Sequence, residues 1–132
     1  MAGHVRCDRG GMSLPHESLV AWQRADDLCV RIHMLSKTFP MEERFALASQ
    51  LRRASYSVPA NIVEGFGRYG DRDRAHFLEV ALASLAEVAY CVHLSRRLEY
   101  IDEKTKGDLE AELRQVSAPL RGLMKRYATR KR

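Results

Sequence analysis

Apolar residues recur along most of this chain at steps of three and four, the period of one face of a helix. Trp22, Ala25, Cys29, Ile32, Leu35 and Phe39 form the first such series, with polar residues such as Arg24, Asp27 and Arg31 between them. The spacing predicts a helix from about Leu19 to Lys37. Pro15, Glu17 and Ser18 supply its start signals, with Ser18 a candidate cap. Thr38-Phe39-Pro40 ends it, because the residue before a proline is pushed out of the helical region. A second series, Leu47, Leu51, Ala54, Val58 and Ile62, runs to about Phe66 and predicts a helix that begins near Glu42 or Glu43. Pro59 lies inside that stripe; it removes one backbone hydrogen bond and crowds the preceding turn, so the pattern predicts a kinked helix, with two shorter helices as the alternative.

The run Gly65-Phe66-Gly67-Arg68-Tyr69-Gly70 breaks the periodicity, and Asp71 is the expected cap of a third helix. That helix carries two apolar seams: Phe77, Ala81, Ser84, Val88, Cys91, Ser95 and Leu98, and beside it Leu78, Leu82, Leu85, Ala89 and Val92. Two adjacent seams make a face wider than one partner helix needs, and an interface between subunits would use the excess. Asp102 is the expected cap of a fourth helix, striped by Leu109, Leu113, Val116, Leu120, Leu123 and Tyr127. Pro119 is expected to kink or divide it. No strand-like alternation or internal repeat stands out. The prediction is an all-α, antiparallel up-and-down four-helix bundle, helix 2 kinked at its internal proline, over residues 15–128. Residues 1–14 read as a flexible N-terminal extension and residues 129–132 as a basic C-terminal tail.

At 132 residues the chain is long enough for a core without disulfide staples. Cys7, Cys29 and Cys91 are odd in number and widely spaced, which is no disulfide framework and suits a reducing cytoplasm. The first fourteen residues hold no apolar core of a secretory signal, and no stretch reads as a membrane span, so no membrane partner is expected.

Candidate chemistry is sparse. Gly65 to Gly70 spells G-x-G-x-x-G, but a helix precedes it and no strand is predicted, so the context of a dinucleotide-binding turn is missing. Cys29 and His33 share a helix face, yet two ligands do not make a zinc site. Asp73-x-x-His76 is one near miss to the Glu-x-x-His pairs of a di-iron bundle. No nucleophile elbow is present. The expectation is therefore no enzyme, no metal and no cofactor.

Charge points elsewhere. The net charge is +5, which is permissive for nucleic acid or an acidic partner. Arg52, Arg68, Arg72, Arg74, Arg96, Arg97, Arg121, Lys125, Arg126, Arg130, Lys131 and Arg132 are the candidate nucleic-acid contacts, since the arginine fork suits phosphate. Part of this set reflects the ordinary preference for cations at helix C-termini.

Several stretches resemble a known family: Leu19-Val20-Ala21-Trp22-Gln23-Arg24-Ala25, Phe39-Pro40, Gln50-Leu51-Arg52-Arg53-Ala54, Ser57-Val58-Pro59-Ala60-Asn61-Ile62-Val63-Glu64-Gly65, Phe77-Leu78 and Ser84-Leu85-Ala86-Glu87. Together they resemble the four-helix bundle proteins encoded in intervening sequences of bacterial 23S ribosomal RNA genes, over nearly everything from Leu19 to Tyr127. The resemblance implies a ring-like homopentamer. A related protein, the accessory variability determinant of diversity-generating retroelements, implies reverse transcriptase and RNA as partners. The signature residues Gln50, Arg53, Ala54, Ser57, Pro59, Asn61, Glu64 and Gly65 match, and architectural roles are expected for them: Pro59 shaping helix 2, Gly65 ending it, Asn61 and Glu64 satisfying polar groups. Ala83 stands where the family usually has glycine, and Pro119 interrupts helix 4. The functional expectation is a non-enzymatic, homo-oligomeric, basic binding protein for RNA, DNA or a nucleic-acid enzyme; the alternative is a protein adaptor without nucleic-acid binding.

Overall fold

The computed structural model describes His16 and residues 19–128. Four helices account for most of this span: α1 Val20–Ser36, α2 Leu47–Phe66, α3 Asp71–Arg97 and α4 Glu103–Ala128. Along their backbones each packs against two others: α1 and α3 both lie against α2 and α4, while α1 and α3 stand diagonally opposite, as do α2 and α4. This is a four-helix bundle, with no strand among the described residues. Along α1 and α2, Ser36 meets Arg52 and Cys29 meets Ser55. Along α2 and α3, Ser57 meets Ser84, and Gly65 lies against Arg74 and Phe77.

Leu28, Ile32, Leu51, Val58, Ile62, Leu78, Val88, Val92, Leu109, Val116 and Leu120 are fully buried between the helices, and removing such apolar surface from water drives the assembly. The α4 stripe buries Leu109, Leu113, Val116, Leu120 and Tyr127, with Leu123 at its flank. On α1 the buried line is Ala21, Ala25, Leu28 and Ile32; Trp22 and Leu35 pack at its edge. On α3 both seams contribute, but Ala89 and Leu98 face outward.

Three boundaries differ from the sequence reading. A short 3-10 turn at Met41–Glu43 replaces the expected start of helix 2, and Ala46, at φ −116° and ψ −108°, separates it from α2. The guanidinium of Arg52 holds this corner by donating to the Arg44 carbonyl and to Ser36 Oγ, both at 3.2 Å. The N-cap of α3 is Gly70, without a side-chain cap, and Asp71 is the first helical residue. The expected cap Ser18 lies outside the described residues; Leu19 occupies the α1 N-cap without a side-chain bond. Asp102 does cap α4, accepting from the Thr105 amide at 2.8 Å.

α2 runs through Pro59 and α4 through Pro119 as single helices. α3 also revises the reading of span-length stretches: by length and composition it is apolar enough to cross a membrane. Here it is a bundle helix with Leu78, Ala81, Leu85, Val88 and Val92 in the core, yet only 33% of its most apolar window is buried.

Candidate polyanion-binding end

The two ends of the bundle differ. At one, Phe39 meets Tyr100 with ring centroids 5.4 Å apart, which brings the α1–α2 corner to the α3–α4 turn. At the other, Phe66 meets Tyr127 edge-on at 5.7 Å, which brings the α2–α3 turn to the end of α4. The candidate cations therefore do not form one patch.

Arg52, Arg96 and Arg97 belong to the first end. Arg52 is committed to the corner just described, and Arg96 donates to Glu103 at 2.9 Å across the α3–α4 turn. Arg97 is exposed. Glu42, Glu43, Glu99 and Glu103 share this end, so its field is mixed. An open depression lined by Arg96, Glu99, Tyr100, Asp102 and Glu103 lies here. The Asp102 carboxyl is held below its usual range, first by the backbone amide of Thr105, which donates to its charged form.

Arg68, Arg72, Arg74, Lys125 and Arg126 gather at the second end, with Arg121 further back along α4. The Arg68 guanidinium pairs with Glu64 at 2.6 Å and lies over the Phe77 ring at 4.9 Å. Arg74 pairs with Asp71 at 3.7 Å and lies between two aromatic faces, 5.7 Å from the centroid of Phe66 and 5.8 Å from that of Tyr127. Arg126 sits over the same Tyr127 ring at 5.9 Å. Aromatic faces attract guanidinium groups, so Phe66, Phe77 and Tyr127 brace cations of the α2–α3 turn, α3 and α4 at one place. Arg121 Nε donates to Ser117 Oγ at 3.2 Å, and Arg72 is exposed. After Glu112 the sequence has no acid, so α4 grows steadily more positive toward this end. Arg130, Lys131 and Arg132 lie outside the described residues.

The signature residues of α2 divide by role. Ala54 and Pro59 are buried, Gln50 and Arg53 are exposed, and Glu64 is the partner of Arg68. Asn61 Nδ2 donates to the Ser57 carbonyl at 2.7 Å and to Ser57 Oγ at 2.9 Å, and Ser57 Oγ is 2.8 Å from Ser84 Oγ. This chain of polar contacts ties α2 to α3. Gly65 does not end the helix, which continues to Phe66 with Gly67 as its C-cap. A Cβ at Gly65 would lie 3.2 Å from Phe77 Cβ and 3.4 Å from the Arg74 carbonyl oxygen, so its missing side chain permits close approach of α3.

Cys29 and His33 are adjacent as predicted, Sγ to Nδ1 3.7 Å, but Nδ1 is also 2.9 Å from the Cys29 carbonyl, and burial raises the thiol above its usual range. Among the described residues no group of three or more His, Cys, Asp or Glu side chains could hold a metal ion.

Two features carry no clear signal in the sequence. Tyr69, at the tip of the α2–α3 turn, is fully exposed. Glu99 has φ 63°, the left-handed conformation that follows many helix ends; with Glu99 N–H bonded to the Arg96 carbonyl and Tyr100 N–H to that of Ser95, it closes α3 in a Schellman turn. Glycine usually marks that position, and its absence hides the turn.

The family model described as 23S rRNA-intervening sequence protein matches residues 17–122. Among solved structures, the chain is similar to a protein of unknown function from the S23 ribosomal protein family of Bacteroides thetaiotaomicron, at 26% identity and a TM-score of 0.75, covering 80% of this chain and 96% of that one. No curated protein matches.

Proposed function

The chain belongs to the 23S rRNA-intervening sequence protein family, and from that premise we propose that it is a non-enzymatic, homo-oligomeric binding protein for nucleic acid. The supporting observation is the aromatic-braced cluster at the α2–α3 turn and the end of α4. Arg68, Arg74 and Arg126 lie over rings there, and α4 adds Arg121 and Lys125 with no acid after Glu112. A guanidinium held over a ring loses less side-chain freedom when it meets a phosphate, and its planar fork suits two oxygens at once.

Self-association is supported by α3. Its outward arc includes half-buried Val80 and exposed Ala83, Ala86 and Tyr90, the last 61% exposed. A second subunit would remove this apolar surface from water. Five subunits in a ring follow the family resemblance; light scattering of the purified protein gives the number directly. Repetition around a ring would multiply weak phosphate contacts by avidity.

The test is binding of the nuclease-treated protein to a structured RNA and to a duplex DNA across a salt series. Affinity should fall steeply with salt. Replacing Arg121, Lys125, Arg126 and Arg130 by glutamine should weaken it and flatten the dependence by about 0.7–0.9 in log–log slope for each phosphate no longer engaged. No binding to either ligand at low salt refutes the reading and leaves a protein adaptor, for which the α3 face is the natural docking surface.

A further inference from the structure

The α2–α3 turn has a chemistry of its own. From Gly67 to Arg74 the chain reads Gly-Arg-Tyr-Gly-Asp-Arg-Asp-Arg, and Tyr69 is its sole apolar side chain. Tyr69 is 103% exposed, as open as a side chain can be in a folded protein. A tyrosine held this far into water at the point of a short connection adds nothing to the protomer's own packing. Gly70 beside it is equally open, with no atom within 4 Å of where a Cβ would stand. Both faces of the ring are thus approachable.

The surroundings select among partners. A protein hot spot needs an apolar rim that excludes water around the aromatic. Here the neighbours in sequence are two glycines, three arginines and two aspartates. Two of the three arginines are already placed: Arg68 on Glu64 and Phe77, Arg74 on Asp71. Asp71 and Asp73 occupy the first turn of α3 and make its N-terminus a poor seat for phosphate. The turn therefore supplies a stacking plane and Arg72, while the excess of positive charge comes from α4. Both lie at one end of the bundle: Phe66, three residues before Tyr69, meets Tyr127 near the end of α4, and Arg126 lies over that Tyr127 ring.

A bare aromatic plane beside a cationic track is the arrangement that holds single strands: bases stack on the ring, and phosphates follow the cations. A duplex keeps its bases stacked on one another and has none to offer. We infer that the α2–α3 tip is a binding site for single-stranded nucleic acid, with an unpaired base stacked on Tyr69 and the flanking phosphates on Arg72 and on Arg126 at the end of α4. This inference rests on the nucleic-acid reading above and specifies its ligand.

The experiment titrates the full chain with a labelled oligouridylate, a labelled oligoadenylate and a duplex of the same length, at several salt concentrations, for wild type, Tyr69→Ala, Tyr69→Trp and Arg72→Gln. Wild type should prefer the single strands. Tyr69→Ala should lose roughly 5- to 150-fold in affinity for them, the range of one stacked base, with the salt slope unchanged because every phosphate partner is kept. Tyr69→Trp should retain binding. Arg72→Gln should lower the slope by about 0.7. Thermal melting and subunit number of Tyr69→Ala should match wild type. If wild type binds single strands and Tyr69→Ala binds them equally well, the tip is not the site, although the nucleic-acid reading stands. Equal affinity of wild type for duplex and single strand, or a change of assembly in Tyr69→Ala, also overturns the inference. If wild type binds no nucleic acid, the underlying reading fails and this one with it.

Discussion

Replacing Gly65 with alanine separates two accounts of the most family-specific segment. Were Gly65 merely a tolerated glycine inside the helix, alanine should stabilise α2 by about 0.8–1.0 kcal/mol, its advantage within a helix. The structure adds an opposing term. The new methyl would stand 3.2 Å from Phe77 Cβ and 3.4 Å from the Arg74 carbonyl oxygen. Neither atom can swing away, since one is fixed to the α3 backbone and the other is part of it. Relief needs α3 to retreat by a few tenths of an ångström from α2, against the Ser57–Ser84 contact at 2.8 Å. Overpacking of this kind costs about 1–3 kcal/mol. The net expectation for Gly65→Ala is a loss of roughly 0–2 kcal/mol. Gly107 and Gly122 are the internal controls: both lie in α4, and a Cβ on either meets nothing within 4 Å. Alanine at each should gain about 1 kcal/mol. Urea unfolding of the three variants, with m-values compared and at more than one protein concentration, reads the contrast. Equal stabilisation by Gly65→Ala and Gly122→Ala would refute the close-approach argument.

Two further perturbations address the α3–α4 turn. Glu99→Gly should raise stability by roughly 0.5–1 kcal/mol, because it removes a left-handed cost of about 1–2 kcal/mol and gives part of it back as unfolded-chain entropy; a lower melting temperature would show that another interaction of Glu99 outweighs that cost. Asp102 has its carboxyl held below the ordinary 3.8, so its contribution is present above that value and is lost as pH falls through the lower, folded value. Asp102→Asn keeps a capping oxygen and removes the titration. The wild-type advantage over it should therefore shrink below about pH 4, and a stability difference constant from about pH 2 to about pH 6 would contradict this.

The helices are legible in the sequence because burial imposes period. The α4 stripe is the clearest case: Leu109, Leu113, Val116 and Leu120 step by four and three, Tyr127 follows one heptad on, and the residues between them are exposed or half-buried. On α1 the buried line is displaced by about one residue from the apolar pattern, since Trp22 and Leu35 are large and apolar yet sit at the edge while small Ala21 and Ala25 fill the centre. Size misleads a reader who ranks by hydrophobicity. The start of α2 is disguised because Glu42 and Glu43 do have the acidic signature of a first turn, but the turn they open is a short 3-10 segment. Site residues are legible only as a set of cations. Nothing in the local sequence tells Arg52, locked into a corner, from Arg72, open to solvent; the distinction comes from contacts between residues far apart in the chain. Tyr69 shows only as one letter in a glycine-rich loop.

α3 connects the two halves of the functional reading. In a bundle where each helix packs along two neighbours, the outward arc is free to be charged, as it is on α4 with Glu110, Arg114, Arg121 and Lys125. On α3 the corresponding arc sets half-buried Val80 and exposed Ala83, Ala86 and Tyr90 beside Glu79 and Glu87, and the protomer's core uses none of the four apolar residues. That arc runs along the length of the helix, whereas Arg72 and Tyr69 lie at its end. Subunits joined through the sides of α3 would leave the bundle ends uncovered and set several tips and α4 termini on a common rim. Assembly and nucleic-acid affinity are then coupled without sharing residues. Ala86→Glu places a charge in the middle of the arc, outside the core and away from every proposed phosphate contact. It should leave helicity unchanged, lower the mass measured by light scattering, and reduce affinity for long single strands by on the order of 10²-fold or more as avidity disappears, while affinity for an oligonucleotide short enough to reach one tip stays the same. A dissociated variant that still binds long strands as tightly as wild type would break the coupling and make each protomer a complete binding unit.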